Sequence, residues 1–198
     1  MADVALSTLL PRLIPELPKC PQPIITQMLR RVTRDFFHET GVWNEDLATV
    51  ASVADQKNYT LVNPYATTDI WQVNSVKVGD ETEPEDMRDY LYDYDRRTGV
   101  LRLNSAVTED DEDILFHVTF LPKHTISELP EVLAPLYDEA IVLGVLYRLK
   151  MQSGKPWYDP RLGKDYQELY EGEIADAIGD DIIGGDSGEI TMEVGYVF

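Results

Sequence analysis

The run "LYDEAIVLGVLYRLKM", from Leu136 to Met151, restricts the possible folds more than any other stretch. Apolar residues fall on nearly every side of a helix of this length, so it must be covered on several sides, by its own domain or by a neighbouring chain. Pro135 suits the start of that helix, after a short preliminary turn, because the first turn leaves its N–H groups unbonded anyway. The segment that follows, "MQSGKPWYDP" (Met151 to Pro160), superficially resembles a phosphate-binding loop. Such a loop needs glycine, four residues, then Gly-Lys-Ser/Thr after a buried strand. Here Leu149 stands at the first glycine position, Pro156 at the Ser/Thr position, and the preceding segment reads as helix. The stretch is instead an elbow: Lys150 in the last turn, Gly154 as a left-handed cap, Pro156 blocking continuation, and Trp157 packed between two helices. Asp159 then caps a second helix with Pro160 at its first position. Its expected apolar stripe is Leu162, Tyr166, Leu169, Ala177 and Ile178, with Ile174 close by, and Gly179 is expected to end it.

An earlier helix is equally legible. Ile24, Ile25, Met28, Leu29, Val32, Phe36 and Phe37 recur at three- and four-residue steps, with Arg30, Arg31 and Arg34 on the other side and Gly41 as the stop. Ahead of it, Pro11, Pro15, Pro18, Pro21 and Pro23 forbid a long helix and favour an extended lead-in with one turn at "VALSTLL". Between Leu47 and Pro122 the period changes to two. "ATVASV", "YTLV", "IWQVNSVKV", "YLYDYD", "GVLRL" and "ILFHVTFL" are short, β-branched and aromatic, and polar turns such as "NPYATTD" and "DRRTG" separate them. Antiparallel hairpins fit that spacing better than βαβ units.

The expected fold is therefore α+β. A bundle of three to four helices (23–46 and 128–179) carries an inserted antiparallel β domain (47–127). An extended Pro-rich segment (1–22) precedes it, and a C-terminal arm (180–198) follows. The end of that arm, "EITMEVGYVF", alternates like a strand after Gly184, Gly185 and Gly188, so Ile190, Met192, Val194, Tyr196 and Phe198 read as an arm that docks elsewhere.

Charge narrows the function. Thirty-six acidic residues against 17 Lys and Arg leave a formal charge of −19. Nucleic-acid binders draw affinity from cations that neutralise phosphates, so DNA and anionic membranes are poor partners for such a surface. Cys20 is the only cysteine, which excludes an intrachain disulfide. The N-terminus reads as no signal peptide and the longest apolar run is too short to span a bilayer, so a soluble cytosolic protein is expected.

Chemistry-bearing motifs are scarce. "TEDDED" (Thr108 to Asp113) reads as a solvated loop rather than a cation site, because consecutive acids point in different directions. "DYDRRTG" (Asp93 to Gly99) departs from a calcium loop at Arg97 and in its late glycine, and reads as a turn between two strands. His38, His117 and His124 form no HExxH or HxxxH pair, and "GDSG" (Gly185 to Gly188) lies in a loose tail without a partner histidine motif. No cofactor and no metal is implied, and no enzyme activity is expected.

The pattern as a whole resembles the head–tail connector (adaptor) proteins of tailed bacteriophages. "MLRRVTRDFFHETGVWNEDL" (Met28 to Leu47), "LPEVLAPLYDEAI" (Leu129 to Ile141) and the two-helix unit around "GKPW" carry the likeness, which is weak in the strands. The resemblance implies a virion protein of the neck. Its copies would form a ring, typically a dodecamer, between portal and tail or tail-nozzle proteins, and DNA would pass through without sequence-specific binding. Candidate contact residues on that reading are Arg30, Arg31 and Arg34, the alternating Tyr90, Tyr92 and Tyr94, Lys155 and Trp157 at the elbow, and the terminal arm. The all-round apolar helix would pack between ring neighbours. The rival reading is a binding module whose aromatic-rich β insertion, Trp71 and Tyr92 included, recognises carbohydrate or a protein.

Overall fold

A computed structural model describes residues 3–78, 85–87, 92–104 and 113–184 of the chain. It is mixed α+β, with four α-helices and antiparallel sheets among the described residues. The chain opens on β1 (Asp3–Ala5), a 3-10 turn (Leu6–Leu9) and the short α1 (Leu10–Leu13). The extended lead-in expected from the prolines is thus largely helical turn. Pro11 falls in the first turn of α1, where its missing N–H breaks no bond, and Leu6, Leu9, Leu10, Leu13 and Leu17 are buried. Burial of five leucines outweighs the weak extended preference of a proline-rich segment.

Helix α2 (Gln22–Thr40) follows and ends on Gly41, whose φ of 70° is the left-handed cap that favours glycine. Its buried face, Ile25, Leu29, Val32, Phe36 and Phe37, matches the stripe expected from its periodicity. Helices α3 (Ala134–Lys150) and α4 (Pro160–Gly184) come after the strands. Pro135 lies in the first turn of α3, as its position predicts. The Asp159 carboxylate accepts from the Leu162 N–H at 3.2 Å and caps α4. Gly154 is left-handed at φ 76°, and the Trp157 ring is buried in the elbow. Trp157 is therefore an internal wedge, not a contact residue.

Four other expectations are sharpened or corrected here. Of the two covers offered for α3, its own domain supplies most, although Leu136 in its first turn stays exposed. Ala140 to Leu146 and Leu149 are all buried by the chain's own α1, α2 and α4. Gly144 is the reason α2 and α4 can close on it from two sides. A Cβ there would sit 2.7 Å from Val32 Cγ1 and 2.8 Å from Tyr170 Cε2. Second, α4 does not stop at Gly179 but runs on to Gly184, because Gly179 lacks the positive φ of a cap. Residues 180–184, assigned above to the arm, are therefore helix. Third, the buried face of α4 is Gly163, Tyr170, Ile174 and Ala177, whereas Leu162, Leu169 and Ile178 are exposed. The periodicity is right, but the face is chosen by where glycine permits close approach, not by the largest side chains. A Cβ on Gly163 would lie 2.8 Å from Met151 Sδ. Fourth, the segment read as helical core from residue 128 starts with a strand.

The strands are antiparallel, as the hairpin spacing predicts. β9 (Asp113–Pro122) pairs on one side with β2 (Asn44–Asp46) and β3 (Val50–Ala51), and on the other with β5 (Thr68–Val78). β6 (Glu85–Met87) extends that sheet beyond β5. β4 (Asn58–Thr60), β8 (Val100–Leu103) and β7 (Tyr92–Asp95) make a second sheet, and β10 (Glu128–Pro130) pairs with β1. The turn between β7 and β8 ends on Gly99 at φ 68°, confirming "DRRTG" as a turn. Leu101 and Leu103 of β8 are fully buried, and Tyr59 of β4 lies 6.3 Å from Phe116 of β9, ring to ring. One hydrophobic core continues from these sheets into the helices. No described helix is long and apolar enough to cross a membrane.

Candidate interaction face

Helix α2 sets the position of the functional candidates. Its inner face is apolar and packed, so Arg30 and Arg31 are turned outward, and Arg34 lies half-buried at the edge of that face. Arg30 and Arg31 are exposed and line a concavity of about 760 Å³ with Pro23, Thr26, Gln27 and His124. One turn on, Arg34 reaches a second concavity of about 490 Å³. Lys123, Arg96, Trp71 and Tyr94 share it with Asp69. Lys123 and His124 are consecutive, and Arg30 and Arg34 are one helical turn apart, so the two concavities form one cationic strip on a strongly acidic chain.

Most cations of the strip already have a neighbour within the chain. The Arg34 Nε is buried and has no hydrogen-bond partner among the described residues. Arg31 sits 3.8 Å from Asp35, a long contact, and Asp35 already receives the Arg148 guanidinium of α3. Lys123 Nζ donates to the Ala66 carbonyl at 3.0 Å and lies 3.4 Å from Asp69. Arg96 lies 3.8 Å above the Trp71 ring, and His38 packs edge-on at 4.8 Å between centroids. Guanidinium groups in this setting bind carboxylates through paired donors, and an apolar floor strengthens the contact by excluding water.

Two half-buried tyrosines hold the groove wall together. Tyr94 donates to the Ile70 carbonyl at 3.5 Å and Tyr92 to the Asn74 carbonyl at 3.2 Å, so β7 is tied to β5. Burial pushes the Tyr94 phenol up from its ordinary pKa. These two residues therefore face inward and bridge sheets, and they do not form an exposed aromatic row. The alternation was legible, but a period of two does not say which face is covered. Tyr90 lies outside the described residues, as do Ile190, Met192, Val194, Tyr196, Phe198 and most of "TEDDED". Lys155 is exposed at the elbow, away from the strip's lining residues. Removing both hydroxyls, Tyr92→Phe with Tyr94→Phe, is expected to cost about 1–2 kcal/mol in chemical denaturation, one modest hydrogen bond each. A neutral double variant would show that these bonds do not tie the sheets.

Deeper in, Glu45 of β2 organises an aromatic corner. One carboxylate oxygen accepts from Trp43 Nε1 at 2.9 Å and the other from the Tyr65 hydroxyl at 2.6 Å. Burial, then the bond to Glu45, pushes the Tyr65 phenol up to about 12. At the bulge in β5, Asn74 donates to Thr119 Oγ1 at 2.9 Å, and Thr119 donates to Asn44 Oδ1 at 2.5 Å, pinning β5, β9 and β2. His117 pairs with Asp46 at 2.8 Å across β9 and β2. Among the described residues, no group of three His, Cys, Asp or Glu could hold a metal ion.

Sequence reasoning found the helical arginines but not Arg96, Lys123 and His124, which join them from sequence-distant turns. No local spacing signals that union; only the way β5, β7 and β9 return to α2 creates it. Compared with known proteins, the chain matches no protein-family model and is detectably similar to no characterised protein.

Proposed function

We propose that this chain is a structural subunit of a phage head–tail connector, a ring component between portal and tail, rather than an enzyme. One observation carries the reading. Arg30, Arg31 and Arg34 of α2, with His124, Lys123 and Arg96, line two neighbouring concavities in a chain of net charge −19. On such a protein a basic strip is a docking surface for acidic protein, and it specifies orientation more than raw affinity. The remaining acidity suits a wall past which DNA slides without adhering. Helices α2, α3 and α4 with their "GKPW" elbow, and strands inserted between α2 and α3, agree with the arrangement that the resemblance implies.

The carbohydrate version of the rival reading is weaker on geometry. One face of Trp71 is occupied by Arg96, and Tyr92 and Tyr94 point into the sheets. The chain's place is tested by cross-linking mass spectrometry and electron microscopy on purified particles from the phage that encodes it. The expected result is cross-links to portal and a ring of this chain in the neck. A particle that lacks the chain overturns the proposal.

A further inference from the structure

The face of α4 that the chain leaves uncovered has a definite character. Leu162, Asp165, Leu169, Gly172 and Asp176 follow at helical steps along one stripe, and all five are exposed. Leu169 keeps more than half its surface in contact with water. Neither carboxylate of the stripe has an ion pair among the described residues, and the own-chain contacts of α4 are made through Gly163, Tyr170, Ile174 and Ala177 instead. Gly172 is a second anomaly. Glycine weakens a helix interior, and the two glycines discussed above, Gly144 and Gly163, are each required by a neighbour within 3 Å. As at Gly179, nothing among the described residues lies within 4 Å of a Cβ at Gly172. Its small size is of no use to the isolated subunit, whereas a second backbone crossing the stripe would use it.

The opposite half of such a contact is on the same molecule. The α2 strip offers Arg30, Arg31 and His124 around the 760 Å³ concavity, whose walls include Pro23 and the aliphatic stems of the arginines. Leucines can settle on those stems while Asp165 and Asp176 meet the guanidinium groups. We propose that copies of this chain associate head to tail, the outer stripe of α4 in one copy seated on the basic strip of α2 in the next. The two patches are unlike, so the contact is heterologous and propagates, closing as a ring where the rotation permits. Closure into a ring rests on the connector reading above; the contact itself rests on the two faces.

The test is sedimentation velocity on the full chain at low ionic strength over a concentration series. Wild type is expected to assemble with concentration and to dissociate as salt is added. Arg30→Glu with Arg31→Glu, or Asp165→Lys with Asp176→Lys, is expected to weaken self-association by about tenfold or more. All four positions are exposed, and an unchanged melting temperature shows that each variant is folded. Mixing the two variants is expected to restore association, because each keeps the face the other has lost. Gly172→Ala separates the roles of the helix: the dilute monomer should melt higher, as a helix interior prefers alanine, while assembly weakens. A wild type that stays monomeric at every concentration, reversals without effect, or a mixture that stays monomeric would overturn the proposal. A monomeric chain nevertheless found in particle necks removes this contact and leaves the connector reading. A self-associating chain absent from particles does the reverse.

Discussion

Replacing Trp43 with alanine is expected to cost about 3–5 kcal/mol, measured as a shift in denaturant midpoint at constant slope. The indole is 1% exposed. Its ring packs against Phe37 of α2 at 5.4 Å, Tyr65 at 5.5 Å and Phe120 of β9 at 6.1 Å between centroids. Truncation leaves a void where helix meets sheet and also strips Glu45 of the indole N–H donor. Trp43→Phe should recover most of the packing while still lacking that donor, and so should fall between wild type and alanine. A loss below about 1 kcal/mol for alanine would mean that the corner collapses onto the gap, contrary to the rigid contact of α2 with β9.

The second large effect is at Gly144. Valine there would have to place its Cβ within 2.8 Å of both Val32 and Tyr170, from two different helices, before its methyl groups are counted. Overpacked cores normally lose about 1–3 kcal/mol, and this site has no side to relax toward, so a loss of about 3 kcal/mol or more is expected. Thermal unfolding would fall by roughly 2–4 °C per kcal/mol for a chain of this size. The paired control is Val32→Ala in the Gly144→Ala background: removing the 2.7 Å neighbour should recover part of the alanine penalty. No recovery would mean that Tyr170, not Val32, sets the limit. Tyr170 itself is buried, its hydroxyl has no partner among the described residues, and burial pushes its phenol up to about 12.

What the primary structure shows well here is local. Periods of 3.6 and 2 depend only on side-chain order, so α2, α3 and the hairpin strands were legible, as were the Gly41 and Gly154 caps and the Asp159–Pro160 start. The proline-rich start misled because the local preference of a few residues is smaller than the burial of Leu6, Leu9, Leu10, Leu13 and Leu17. The candidate interaction residues divide along the same line. Three arginines on one helix face could be read as a set, but Arg96 and Lys123 could not be assigned to them.

Composition, periodicity and capping chemistry alone determined that this chain is an acidic α+β protein with an apolar central helix, and where its helices turn. Which atoms cover that helix was decided only in three dimensions. Gly144 lets α2 and α4 close around α3 from within the chain, so the contact we propose falls on the α2 strip and the α4 stripe instead. The physical reason is range: a cap or a period is fixed within a turn of the backbone, whereas burial depends on which distant segment arrives first at contact distance.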